Sequence, residues 1–155
     1  MLPDGKVMYT RWEYQDRSRV HYHHLWLMNP DGTEQMTYFG NMHPDNLYID
    51  AKPIPGTTRI VMINSPGHGQ NEHAGRVSIV RMDMGPDARE AETMIDAGAD
   101  WRDPYPVSEN EIYLANNWPD TSETVTAELW TGSWGSELTF ISSASVQVTT
   151  EPIGF

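Results

Sequence analysis

A pattern that returns about every 52 residues constrains this chain more than any other feature. The string Lys6-Val-Met-Tyr-Thr-Arg11 reappears as Arg59-Ile-Val-Met-Ile-Asn64 and again as Glu111-Ile-Tyr-Leu-Ala-Asn116, at steps of 53 and 52 residues. A second element keeps time with it, from Leu25-Trp-Leu27 to Val77-Ser-Ile79 to Leu129-Trp-Thr131, at steps of 52. Self-similarity at a fixed period is the mark of repeat architectures, in which each unit buries its apolar face against its neighbours. The period speaks to construction first and to activity only indirectly.

Each unit reads as short strands divided by turn chemistry. Pro3-Asp4-Gly5 leads into a strand whose faces alternate as Val7, Tyr9, Arg11 and Met8, Thr10, Trp12. Tyr22 to Met28 forms the next strand. Asn29-Pro-Asp-Gly-Thr33 then makes a tight turn, because proline presets φ and glycine supplies a positive φ, and Gln35 to Phe39 returns. The second unit runs through Leu47–Pro53, Arg59–Asn64, Arg76–Met82 and Ala91–Ile95. The composition of Ala88–Met94 also suits a helical turn, against which the repeat register sets a strand end. The third unit runs through Arg102–Val107, Glu111–Asn116, Thr126–Thr131 and Glu137–Ile141.

Four strands per unit at this spacing predict the blades of a β-propeller. A β-sandwich gives no reason for the self-match, and β-helix repeats are shorter. The expected fold is therefore all-β, a partial propeller of about three blades. Blade 1 covers about residues 1–40, blade 2 about 46–96 and blade 3 about 101–142, followed by a divergent, β-prone tail over 143–155. Blade 1 lacks its innermost strand. Propellers close with about four to eight blades, so the chain is expected to be an open arc of a larger ring. Uncovered blade faces predict association or poor stability in isolation. Met1 is accordingly expected to be an internal methionine or a truncated start, and no basic, apolar leader precedes the first strand.

Composition narrows the function classes. The formal net charge of −12 repels phosphate backbones and argues against nucleic-acid binding. No apolar run approaches the roughly 18 residues of a membrane-spanning helix. The acidic residues are scattered, read as turn formers and solvated surface, and none falls in a calcium-loop pattern. The 155 residues contain no cysteine, which rules out disulfides, Cys-ligated zinc, iron–sulfur clusters and c-type haem attachment within them.

The turn-and-strand grammar, Pro-Asp-Gly before an apolar strand and then Leu25-Trp-Leu-Met-Asn-Pro-Asp-Gly-Thr33, resembles the TolB-type, WD40-like (PD40) propeller repeat. The first 115 or so residues are more similar to the propeller (middle) domain of hydrazine synthase alpha subunit-like proteins. The strings that carry this are Tyr9-Thr-Arg-Trp-Glu-Tyr14 with Asp16-Arg-Ser18, His23-His-Leu25, Ala51-Lys-Pro-Ile-Pro-Gly56 and Ser65-Pro-Gly-His-Gly69. From Asn116 onward the match is poor. The resemblance implies an extracytoplasmic location, periplasmic or secreted, with other blades or domains of a larger protein as partners. It also implies haem chemistry elsewhere, since hydrazine synthase uses haems attached at Cys-x-x-Cys-His and this chain has no cysteine.

Candidate site residues gather in two loops. His21 and His23 fall on one face at the start of a strand and His24 on the other; a one-face pair of imidazoles suits Zn, Cu, Ni or Fe. A strand histidine beside Tyr22 and Trp26 equally suits a half-buried ring bonded to backbone. The loop Ser65-Pro-Gly-His-Gly-Gln-Asn-Glu-His73 carries His68, Glu72 and His73 among glycines, which let a backbone approach a ligand closely. If both loops lie on one face of the ring, Arg17, His21, His23, His68, Glu72 and His73 form a shared polar site for a metal, a polyanion or a carbohydrate, with His68 and His73 as metal ligands. Trp12, between charged residues, is expected to pack between blades. Glu72 and Asp103 are the acids considered for acid–base work, and nothing pairs them. No nucleophile elbow, phosphate loop or His-Glu-x-x-His motif occurs. The expected function is a non-catalytic scaffold or binding module for a protein or ligand. The alternatives are a metal-dependent propeller hydrolase or lyase using the loop histidines, and the scaffold of a multihaem redox protein.

Overall fold

In the computed structural model, residues 1–15, 17–18, 20–67, 74–116, 124–132 and 139–147 are described. They form ten strands: β1 (Val7–Trp12), β2 (Tyr22–Met28), β3 (Met36–Phe39), β4 (Asn46–Pro53), β5 (Arg59–Ser65), β6 (Gly75–Arg81), β7 (Glu92–Ser108), β8 (Glu111–Asn116), β9 (Thr124–Gly132) and β10 (Thr139–Gln147). The chain is all-β, with only two single 3₁₀ turns, Met82–Met84 and Arg89–Ala91, among the described residues. The strands join in one mixed sheet along the path β1-β2-β4-β5-β6-β7-β8-β9-β10, with β3 also on β2. The path is open, with β1 and β10 at its ends. Every pairing is antiparallel except β2 with β4, which run parallel through Tyr22–Asn46 and His23–Leu47.

The turn between β2 and β3 follows from its side chains. Asp31 Oδ1 accepts from the Thr33 amide at 3.0 Å and from its hydroxyl at 2.7 Å. Gly32 takes the φ of 83° that this turn demands.

Several expected boundaries differ. Separate strands over 91–95 and 102–107 merge into β7, because the small residues Ala97, Gly98 and Ala99 tolerate extension and the ladder with β6 continues to Gly75–Trp101. Only the turn Arg89–Ala91 of the Ala88–Met94 stretch winds up, and Glu92 onward is claimed by pairing with β6. The last strand also runs to Gln147, beyond the expected end at Ile141.

Strand β5 is apolar on both faces, and each face meets a different core. Ile60 and Met62 join Leu25, Leu27, Phe39 and Tyr48, while Val61 and Ile63 join Val77, Trp101, Ile112 and Leu114. The period of two sends alternate side chains to opposite sides, so a run without polar interruption is what a strand between two layers needs. Ile60, Val61, Met62 and Ile63 are all fully buried, and each contributes about 1.5–3 kcal/mol relative to exposure.

The sequence period also surfaces in the backbone. Asp50 and Asp103, 53 residues apart, both hold positive φ, at 54° and 45°. Each sits where the register slips, between Ile49 and Lys52 in β4 and between Arg102 and Tyr105 in β7. Aspartate is among the few non-glycine residues that enter this region readily. The two irregularities touch: Lys52 Nζ lies 3.7 Å from Asp103 Oδ1 and 5.9 Å from the centre of the Tyr105 ring.

Candidate functional site

The carboxyl ends of β1 and β5 and the amino ends of β2, β4 and β6 meet at one rim of the sheet, as their antiparallel and parallel registers require. A cleft of about 230 Å³ opens there, lined by Asp45, Asn46, Asn64, Ser65, Pro66, Gly75 and Arg76. Its floor is an amide ladder. Asn46 Nδ2 donates to Asn64 Oδ1 at 2.8 Å, and Asn64 Nδ2 donates to Glu92 Oε1 at 2.7 Å. These bonds fix the orientation of both amides, and Asn64 is 9% exposed. Gly75 is required here: a Cβ would stand 2.4 Å from the Asn64 carbonyl oxygen and 2.7 Å from the Ser65 Cα. Close approach of the two backbones shapes the cleft wall.

Asp45 sits at the mouth with φ of 69°. Its amide donates to the His21 carbonyl at 3.0 Å, and its carboxylate pairs with His21 Nδ1. The expected site residue His21 thus reaches the cleft through Asp45. Arg17 goes elsewhere. Its guanidinium donates to Glu13 Oε2 at 2.6 Å and to the Asn41 carbonyl at 2.8 Å, and it lies 4.2 Å above the Tyr22 ring. His23 is buried and stacks under Trp12 at 5.2 Å between ring centres. The three are sent to three different partners. His68, Glu72 and His73 lie outside the described residues, so the shared site is represented by Arg17, His21 and His23 alone. Trp12 is 44% exposed, rather than packed between layers, and meets Tyr14 edge-on at 5.2 Å.

Two further histidines are buried beside this rim. His43 shares a hydrogen bond of 3.0 Å between Nδ1 and the Tyr48 hydroxyl, and its Nε2 lies 3.2 Å from the Asp87 carbonyl. A carbonyl only accepts, so Nε2 carries the proton and Nδ1 accepts from Tyr48. Burial raises the Tyr48 hydroxyl well above its ordinary range, which keeps it a donor. His24 has no solvent exposure and stacks on Trp26. Desolvation lowers its pKa to about 4, against an opposing pull from Glu13 and with a further push from Arg17 and Arg11.

Sequence reasoning missed Asn46, Asn64 and Arg76. Asn64 did carry a signal, a polar residue closing the apolar run from Ile60 to Ile63. Asp45 is one of the scattered acids expected to form turns and solvated surface, and its left-handed backbone suits a turn. Among the described residues no group of three or more His, Asp or Glu side chains converges as a metal set. The cleft offers two amides, a carboxylate–imidazole pair and a guanidinium, a set that hydrogen-bonds a polar guest. Compared with known proteins, the chain matches no family description, no curated protein and no solved structure.

Proposed function

We propose that this chain is a three-blade segment of a β-propeller, akin to hydrazine synthase alpha-like and TolB-like proteins, that acts as a non-catalytic scaffold and binding module. The observation that carries this reading is the recurrence of one backbone device, the Asp50 and Asp103 bulges 53 residues apart, joined by Lys52. In this reading β4 to the first part of β7 form blade 2, and the second part of β7 opens blade 3. The two cores flanking β5 are then blade-to-blade contacts. The rim cleft at Asp45, Asn46, Asn64 and Arg76 is the place where the module takes a polar ligand, because loops on a rigid sheet gather binding groups.

The test is a titration of the isotopically labelled full chain with Zn²⁺ and, separately, with a neutral oligosaccharide such as maltohexaose, followed by amide NMR shifts. Saturable shifts at Asp45, Asn46, Asn64 and Arg76, weakened about tenfold by Asn64→Ala, support a binding module. A lack of response to either probe at these amides refutes the rim as a binding site. Zinc-dependent ester or glycoside hydrolysis that His21→Ala abolishes would replace the scaffold reading with an enzyme.

A further inference from the structure

The geometry points to β1 as an acceptor edge for an added strand, one that runs antiparallel to it and resembles Asn46–Pro53, supplied by a further unit of the same repeat. This rests on the repeat-unit reading above and goes past it by naming the surface, the register and the occupant's character.

The register of β1 with β2 settles which backbone groups are free. The Glu13 amide donates to the Tyr22 carbonyl at 3.0 Å, so Glu13 and Tyr22 are a hydrogen-bonded pair. Pairing continues without a slip from Trp12–His23 to Val7–Met28. In an antiparallel ladder, hydrogen-bonded and non-hydrogen-bonded pairs alternate. The N–H and C=O groups of Val7, Tyr9 and Arg11 therefore point to β2, and those of Met8 and Thr10 point to the opposite edge. Among the described residues β1 pairs with β2 alone. An unpaired edge is a ready template for another strand.

Internal equivalence says what belongs there. At the 53-residue step, Met8, Thr10 and Trp12 correspond to Val61, Ile63 and Ser65. Those three are fully buried, whereas Thr10 is exposed and Trp12 is 44% exposed. What covers the β5 edge is β4, through Leu47–Ser65, Ile49–Ile63 and Lys52–Val61. Transferred to β1, the same register sets a Leu47-like residue opposite Trp12, an Ile49-like residue opposite Thr10 and a Lys52-like residue opposite Met8. The left-handed aspartate would fall between the last two. The established β4–β5 interface is thus continued, one unit back, by an edge with no strand on it among the described residues.

The experiment adds a labelled peptide of residues 44–55 to the full chain, reading fluorescence anisotropy together with amide hydrogen exchange. The expected result is saturable binding below about 1 mM, with exchange at Met8 and Thr10 slowed about tenfold or more and exchange at Ile63 unchanged. A scrambled peptide should bind about tenfold more weakly. The proposal is overturned by no binding, by binding that leaves the Met8 and Thr10 amides unprotected, or by protection of those amides in the free monomer. Protection that grows with protein concentration in the absence of peptide also overturns it, in favour of a second copy on the edge. None of these outcomes alters the rim titration, so the two readings fail separately.

Discussion

Acidification should destabilise this protein through His24, and the size of the effect follows from its surroundings. The ring has no solvent exposure, and neither nitrogen finds a hydrogen-bond partner among the described residues. Glu13 Oε2 is 3.9 Å from Nε2, too far for a hydrogen bond. Arg11, opposite His24 in the β1–β2 ladder, lies 4.2 Å above the neighbouring Trp26 ring. Burial therefore wins over the Glu13 attraction and lowers the pKa from its ordinary 6.5 to about 4. The unfolded chain takes up this proton near pH 6.5 while the folded chain holds it off until about pH 4. In that window the unfolded state binds more protons, so stability falls as pH falls. The His24 contribution is intact above pH 6.5, is lost progressively below it and is fully gone below about pH 4. At about 1.4 kcal/mol per pH unit, the loss is about 3 kcal/mol. Urea unfolding followed by tryptophan fluorescence, from pH 7.5 down to 4, measures it in wild type and in His24→Phe, which keeps a ring against Trp26 but does not titrate. Wild type should lose about 3 kcal/mol more than the variant across this range. Asp31 and Glu34, whose hydrogen bonds with Thr33 and Lys6 lower their pKa values, add a loss at lower pH in both proteins. Equal pH dependence in wild type and His24→Phe would refute the argument.

Other perturbations test single contacts. Gly75→Ala drives a Cβ into the Asn64 backbone and should cost about 1–3 kcal/mol in urea unfolding, with amide shifts at Asn64 and Arg76 that reveal a distorted cleft. Tyr48→Phe leaves His43 Nδ1 buried without its donor, a loss of about 1–3 kcal/mol; no change in melting temperature would count against the proposed tautomer. Asp50→Val should be less stable than Asp50→Gly by about 1–2 kcal/mol, because a β-branched residue resists positive φ and glycine does not. Arg17→Lys keeps the charge but loses the fork that reaches Glu13 and Asn41 together, and should lower stability by about 1 kcal/mol in the same assay.

Much of the all-β order was legible because local chemistry agreed with it. The Asn29–Thr33 turn, the apolar run Ile60–Ile63 and the strand Tyr22–Met28 each carry their reason in adjacent residues. Long-range pairing was not legible. Nothing near Gly40 announces that its amide donates to the Pro86 carbonyl, or that the Met42 amide donates to Asp87 Oδ1. These two bonds tie the loop after β3 to the 82–91 segment. Gly98 is a fair break signal, but a ladder that continues to Trp101 outweighed it. The bulges at Asp50 and Asp103 were hidden for a similar reason. An aspartate inside a strand reads as an outward polar position, and only the register slip shows its left-handed backbone. Residue type singled out His21 and Arg17, but their partners, Asp45 and Asn41, lie over twenty residues away in the sequence.

Asn64 shows why core and site are hard to separate in this fold. It continues the face of Ile60 and Met62, so strand alternation alone assigns it to the first core. A leucine there would extend that core, yet Asn46 and Glu92 would each lose a bonded amide at 2.8 and 2.7 Å. Leaving such groups unpaired costs about 1–3 kcal/mol each, so the two together match or exceed the gain of about 1.5–3 kcal/mol from burying a leucine. The exchange is therefore neutral at best for stability, and it removes the residue that links Asn46 to Glu92. At the point where a two-faced core strand reaches the rim, Asn64 is thus held by its bonds to Asn46 and Glu92 at least as firmly as a leucine would be by packing.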